Sequence, residues 1–219
     1  MADVELTADV GFNDVVRLAN DEVGTVRFIG FTEFKKNIVF YGLNLKEANG
    51  KHNGSLNKIS YFKCPKSHGV FTEKRNIIEI IQRPSVSARF HHDQNVLLSE
   101  LGLKGKLLYV GLTKFDNYQN YMYGVKLSKN LTDADREGKI KDNAHMFVLQ
   151  DHEMNTYFDA NAKRSIFVRQ NQLKSLENTP SSSEKEKKSK KKKKKSAGQN
   201  KENYLKTRQQ QNGSANRRS

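Results

Sequence analysis

Five residues of this chain recur, in order, 81 positions later. Val15, Gly24, Gly30, Thr32 and Phe34 are followed by Val96, Gly105, Gly111, Thr113 and Phe115 (96 − 15 = 81). Gly42 and Leu45 match Gly124 and Leu127 at an offset of 82 (124 − 42), and Tyr61, Phe62 and Phe71 match Tyr157, Phe158 and Phe167 at 96 (157 − 61). Three blocks in one order, each internally in register, read as one supersecondary unit used twice. The growing offset places an insertion in the second copy between Leu127 and Tyr157.

The apolar runs are short and rich in β-branched and aromatic residues, as in Val15-Val16-Arg17-Leu18, Gly24-Thr25-Val26-Arg27-Phe28-Ile29 and Ile38-Val39-Phe40-Tyr41. Such runs are too short for helices and suit strands of a small antiparallel sheet. Glycine supplies most turns, since only three prolines occur, Pro65, Pro84 and Pro180. The expected fold is all-β: two small antiparallel β-barrel-like domains in tandem, followed by a disordered basic tail. The first domain takes 1–81. Pro84-Ser85-Val86-Ser87 marks a break, so 82–94 reads as a linker, 95–175 as the second domain and 176–219 as the tail.

Charge supports the division. Of the formal net charge of +15, residues 181–219 hold 14 Lys and Arg against 3 Glu, or 14 − 3 = +11, including the unbroken run Lys190 to Lys195. Only 15 − 11 = +4 remains for the rest, so the basic character belongs to the tail. That tail cannot bury enough apolar surface to offset its ordering entropy. Three uses suit its lysines: an acidic protein surface, nucleic acid, or a nuclear-localisation signal. Cys64 is the single cysteine, so no intramolecular disulfide supports the fold. The N-terminus lacks a basic segment followed by an apolar core, and no apolar run reaches the length of a membrane span. The expectation is a soluble intracellular protein, on which the sequons at Asn53 and Asn130 are chance matches.

The densest motif is Gly50-Lys51-His52-Asn53-Gly54, then Tyr61-Phe62-Lys63-Cys64-Pro65 and His68-Gly69-Val70-Phe71. Two glycines around Lys-His-Asn predict a tight loop whose exposed amides form a nest for a carboxylate. Phe34, Phe40, Tyr41 and Phe71 are expected to make an apolar groove beside it. A carboxylate site next to an aromatic groove suits a peptide C-terminus ending in an aromatic residue.

These elements, with Gly24-Thr25-Val26-Arg27-Phe28-Ile29-Gly30 before them, resemble the CAP-Gly family in family order from about Asp14 to Ile77. The resemblance implies a small twisted antiparallel β domain. It implies binding to the Glu-Glu-Tyr or Glu-Glu-Phe C-termini of tubulin, microtubules or end-binding proteins. Carried over by residue, Lys51 meets the carboxylates, Gly50 and Gly54 shape the loop, and His52 and Asn53 hydrogen-bond the tail. Phe34, Phe40 and Phe71 line the groove. Four positions depart from the family: His52-Asn53 replaces Asn-Asp, Phe40 replaces a Trp, and Glu73 stands where strong binders often carry Arg. Weaker binding is therefore expected, with a pH dependence from an exposed His52.

In the second copy, Arg169 stands where the first has Glu73, while Gly138-Lys139 keeps the start of a loop that lacks its closing glycine. Phe115, Lys139, Phe167 and Arg169 form the candidate second site, against the plainer reading of a copy kept for packing. Nothing resembles a nucleophile elbow or a Walker loop. His91-His92-Asp93 lacks the spacing of a closed metal site. The expectation is a non-enzymatic, microtubule-associated binding protein without cofactor, metal or membrane contact, located in the cytoplasm at the cytoskeleton or in a cilium. Rival expectations are a nucleic-acid-associated protein acting through the tail, a tubulin-folding chaperone, and a structural component of a cytoskeletal lattice.

Overall fold

A computed structural model describes residues 8–85, 89–141, 143–159 and 161–176. The expected tail lies outside the described residues apart from Leu176. The described chain is mostly β. Strands β1 (Val15–Leu18), β2 (Val23–Thr32), β3 (Lys35–Leu45), β4 (Ser55–Leu56), β5 (Ile59–Ser60), β6 (Gly69–Glu73) and β7 (Ile77–Gln82) make the first half. The second half contains β8 (Asn95–Leu98), β9 (Leu103–Leu112), β10 (Tyr121–Leu127), β11 (Ser165–Val168) and β12 (Leu173–Ser175). The insertion carries two single-turn α-helices, α1 (Asp133–Asp135) and α2 (Asp151–Met154), with a π-helical stretch over Arg136–Ile140 following α1.

Pairing is antiparallel and recurs half by half. In the first, β2 pairs with β1 and β3, β3 with β6, and β1 with β7. In the second, β9 pairs with β8 and β10, β10 with β11, and β8 with β12. The side chains follow. Phe71 has ring neighbours Phe28, Phe34, Tyr61 and Phe62 at 5.7, 5.5, 5.2 and 5.5 Å. Phe167 has Tyr109, Phe115, Tyr157 and Phe158 at 5.7, 5.0, 5.1 and 5.5 Å. One offset differs from the sequence reading. Val16, not Val15, corresponds to Val96: Val16 faces Gly24 and Val96 faces Gly105, and both valines are fully buried. The second β1–β2-type turn is one residue longer and uses Gly102 at φ +68°, a conformation that disfavours side chains.

The halves are not separate barrels on a flexible linker. Ile29 of β2 pairs with Val110 of β9, which joins ten strands into one sheet. Ile29 and Val110 are themselves equivalent positions (110 − 29 = 81), as expected of an isologous contact in which each half offers the same patch. The packing is reciprocal as well. Phe28 lies over Gly111 and Tyr109 over Gly30, where a Cβ on either glycine would come within 2.7 Å of the opposing ring. Their two rings meet edge to face at 5.5 Å.

The segment expected to be a linker takes part in this contact. Gly11 bridges His91, and the Phe12 amide donates to the Phe90 carbonyl at 2.7 Å. Asp14, fully buried, accepts from Arg89 Nε at 2.9 Å, from Arg89 Nη2 at 3.1 Å and from the Gly11 amide at 2.7 Å. Residues 89–94 are therefore structural, with Phe90, His91 and Gln94 buried. Both cores draw on both halves. An aliphatic one contains Val26, Leu43, Ile77, Val96, Leu107 and Val125; an aromatic one contains Phe28, Tyr61, Phe62, Tyr109, Phe158 and Phe167.

Candidate functional site

The two-residue turn Glu33-Phe34 between β2 and β3 lifts Phe34 to the surface, where it is 43% exposed. Its ring meets Phe40 at 5.3 Å and Phe71 at 5.5 Å. Phe40 and Phe71 stand on neighbouring strands, β3 and β6, and face one another at 6.4 Å. The strands thus gather three side chains, scattered over 37 positions (71 − 34), into one apolar patch. Phe34 is exposed and Phe71 partly open, while Phe40, expected to line the groove, is buried beneath them as part of the aromatic core. Tyr41 does not belong to it. Alternation along β3 sends Tyr41 into the aliphatic core, 5% exposed.

The loop 50–54 closes one end of this surface, but its amides do not form an open nest. Gly50 donates to the Ser67 carbonyl at 2.6 Å, Lys51 to Gly69 at 2.8 Å, and Gly69 returns a bond to His52 at 2.8 Å. The Gly54 amide donates to His52 Nδ1 at 3.0 Å, and Ser55 to Asn53 Oδ1 at 3.2 Å. The loop is thereby fastened to the outer edge of β6. What it offers to solvent is the side chains of Lys51 and Asn53, both exposed.

His52 is half-buried rather than exposed, its ring 4.9 Å from Phe71. Burial lowers its pKa from the ordinary 6.5. An Nδ1 that accepts from Gly54 carries no proton, which fixes the neutral form with hydrogen on Nε2. Gly54 needs to be glycine. Its φ is +92°, and a Cβ would collide with the Phe62 carbonyl. Cys64 lies beneath the loop, where burial pushes its thiol up to about 11, so it is not a thiolate near neutrality.

Glu73, expected to repel an acidic ligand, is occupied. Lys35 lies 3.8 Å from one carboxylate oxygen and Arg75 3.2 Å from the other. The equivalent pair in the second half is charge-reversed: Asp116 (116 − 35 = 81) holds Arg169 (169 − 73 = 96) at 3.0 Å. Arg169 is largely covered and already matched.

The structure does not bring the four residues of the candidate second site together as expected. Phe115 and Phe167 are neighbours at 5.0 Å. Lys139 instead donates to the Glu100 carbonyl at 3.0 Å, beyond the opposite end of β9 from Phe115. Phe167 is fully buried, whereas Phe71 is partly open. Phe147, from the insertion, lies along the edge of β11 at this position. Its amide donates to the Phe167 carbonyl at 2.9 Å, the Phe167 amide donates back at 2.8 Å, and its ring packs on Phe115 at 5.1 Å. Sequence reasoning missed Phe147 because it has no counterpart in the first copy. A cavity of about 800 Å³ lies elsewhere, lined by Glu33, Tyr61, Lys114 and Tyr157 among others. It sits between the two hairpin tips and does not include the loop 50–54, so the groove is the better candidate on chemistry.

Residues 10–77 match the family model described as CAP-Gly domain. The human CAP-Gly domain-containing linker protein 3 is 42% identical over 73 residues, covering 33% of this chain and 13% of that protein. The microtubule-associated protein ssm4 of Schizosaccharomyces pombe is 38% identical over 69 residues, covering 32% of this chain and 10% of that protein. The mouse centrosome-associated protein 350 is 32% identical over 82 residues, covering 37% and 3%. The chain spans 13% or less of the length of these three relatives. The matched span begins at Val10, runs through the groove and its fastened loop, and ends where β7 begins: residues 10–77 of this chain are a CAP-Gly domain.

Proposed function

We propose that this domain reads the acidic, aromatic-ended C-terminal tail of a microtubule-associated partner, of the Glu-Glu-Tyr or Glu-Glu-Phe type carried by tubulin or end-binding proteins. The observation that carries the reading is an apolar surface of exposed Phe34 and partly open Phe71, floored by buried Phe40 and ending at the loop with Lys51. An aromatic side chain buries its area on the three rings. The ligand's carboxylates lie near a mobile cation in a rim position. The names of two relatives, a microtubule-associated and a centrosome-associated protein, support a cytoskeletal setting.

The second half, 95–175, is in this reading a divergent copy of the same domain, kept for packing. Its recurring strand pairings and ring contacts support that, and Phe147 on the corresponding surface argues against a second peptide site. The lysine-rich tail adds a salt-sensitive attraction to the acidic microtubule surface, acting at high effective concentration once the groove is engaged. A nucleic-acid partner for the tail is the competing outcome, separated by pull-down on RNA and on microtubules at matched salt.

The test is titration of the whole chain with a peptide ending in Glu-Glu-Tyr and with the same peptide lacking its tyrosine. Saturable binding that requires the tyrosine supports the reading. Equal binding of both, or of neither, removes the groove from the mechanism.

A further inference from the structure

The two halves differ in one respect that bears on how the groove is filled. On β11, the amide and carbonyl of Phe167 point away from β10 and are bridged by Phe147. On β6, the equivalent residue is Phe71. Asn44 and Gly69 are opposite one another, yet Gly69 directs its amide and carbonyl outward to the loop. Pairing in antiparallel ladders alternates, so Phe71, two residues on, also directs its amide and carbonyl outward. Among the described residues no strand or isolated bridge lies on that side of Phe71. The second half has thus filled, with its own chain, an edge position that the first half leaves open.

Resting on the reading of the groove given above, we propose that the ligand adds to β6 as a short antiparallel strand, with its aromatic residue bridging Phe71 as Phe147 bridges Phe167. The aromatic ring then packs on Phe34 as Phe147 packs on Phe115. The loop explains why such a segment must end there. In an antiparallel pairing the residue two after the aromatic faces Gly69, and that edge is already bonded to Lys51 and His52. Among the described residues no loop backbone bonds to Ser165 of the second half, and its chain continues past Phe147 to Val148 and Leu149. A ligand in the first half has space for its aromatic residue and then meets the loop carrying Lys51. The terminal carboxylate takes the place of the carbonyl that accepts from the Phe71 amide. Two residues before the aromatic, the ligand faces Glu73, whose charge Lys35 and Arg75 already offset.

The pose is tested by titrating the whole chain with three peptides ending in Glu-Glu-Tyr: unmodified, N-methylated at the tyrosine, and N-methylated at the preceding glutamate. The tyrosine amide faces β6 and the preceding amide faces away. Methylation at tyrosine is expected to weaken binding about ten-fold, and at the preceding residue by less than about two-fold, since one hydrogen bond is lost only in the first case. Equal effects at the two positions, or none at either, overturn the pose while leaving the groove reading intact. Absence of binding by the unmodified peptide overturns both. Amide hydrogen exchange gives a second readout: saturation with peptide slows exchange at Phe71, and unchanged exchange there excludes edge pairing.

Discussion

Replacing Arg89 by alanine tests whether the two halves are held by the segment between them. Asp14 is fully buried and Arg89 14% exposed at its side chain. Four hydrogen bonds hold the carboxylate in place, three from the guanidinium, whose Nε reaches both oxygens, and one from the Gly11 amide. Removing the guanidinium leaves a buried anion with one partner. Loss of one member of a buried pair costs about 3–5 kcal/mol, because the remaining charge is uncompensated. For a folded unit of this size each kcal/mol shifts the midpoint by about 2–4 °C, so the fall is about 6–20 °C. Thermal unfolding followed by circular dichroism at neutral pH measures it. Asp14→Asn combined with Arg89→Met restores part of the loss, because no charge is left unpaired. A midpoint within about 2 °C of the unaltered chain, as for an exposed ion pair, refutes the reasoning and returns residues 89–94 to the status of a linker.

Phe34→Ala separates binding from folding. The residue is 43% exposed, so stability changes by less than about 1 kcal/mol, while peptide affinity falls by more than about ten-fold as for other aromatic anchors; isothermal titration and thermal unfolding report the two separately. Gly54→Ala affects both together, since positive φ and the Phe62 carbonyl leave no room for a Cβ. It lowers stability by about 2 kcal/mol or more and abolishes binding, and a variant with normal unfolding and affinity contradicts the loop geometry. Acid acts through His52, whose folded pKa lies below the unfolded value. Between those two values the unfolded chain holds more protons, so stability falls as pH drops below about 6.5. His92 shifts in the same direction, so His52→Gln removes part of the acid sensitivity and not all of it. Denaturant unfolding at pH 7.5 and 5.5 decides this, and an unchanged pH dependence in the variant excludes His52.

What could be read from the sequence follows from where its signals are local. Glycines against rings mark the repeat because no other residue fits beside Phe62 and Phe158 at Gly42 and Gly124. The family resemblance singled out Phe34, Phe40 and Phe71, which stand in the β2–β3 turn, on β3 and on β6. The Val15–Val96 match was out by one because two adjacent valines satisfy the pattern and only the pairing with Gly24 selects Val16. The loop looked open because its bonding partners, Ser67 and Gly69, lie well down the chain. Arg89 and Phe90 passed for linker because Pro84 and Ser85 precede them and their partner Asp14 is 75 positions away. Phe147 sits in an insertion without a counterpart, so no offset could point to it. Charge at Glu73 was visible, but not the Lys35 and Arg75 side chains that offset it.

The claim that a groove ending at the loop reads a chain terminus is met most directly by one comparison. The whole chain is titrated with a peptide ending in Glu-Glu-Tyr as the free acid and with the same peptide amidated at its C-terminus. A free acid bound at least about ten-fold tighter is the predicted result, since amidation removes a charge-assisted hydrogen bond and the attraction to Lys51. Equal affinity for the two peptides contradicts the account.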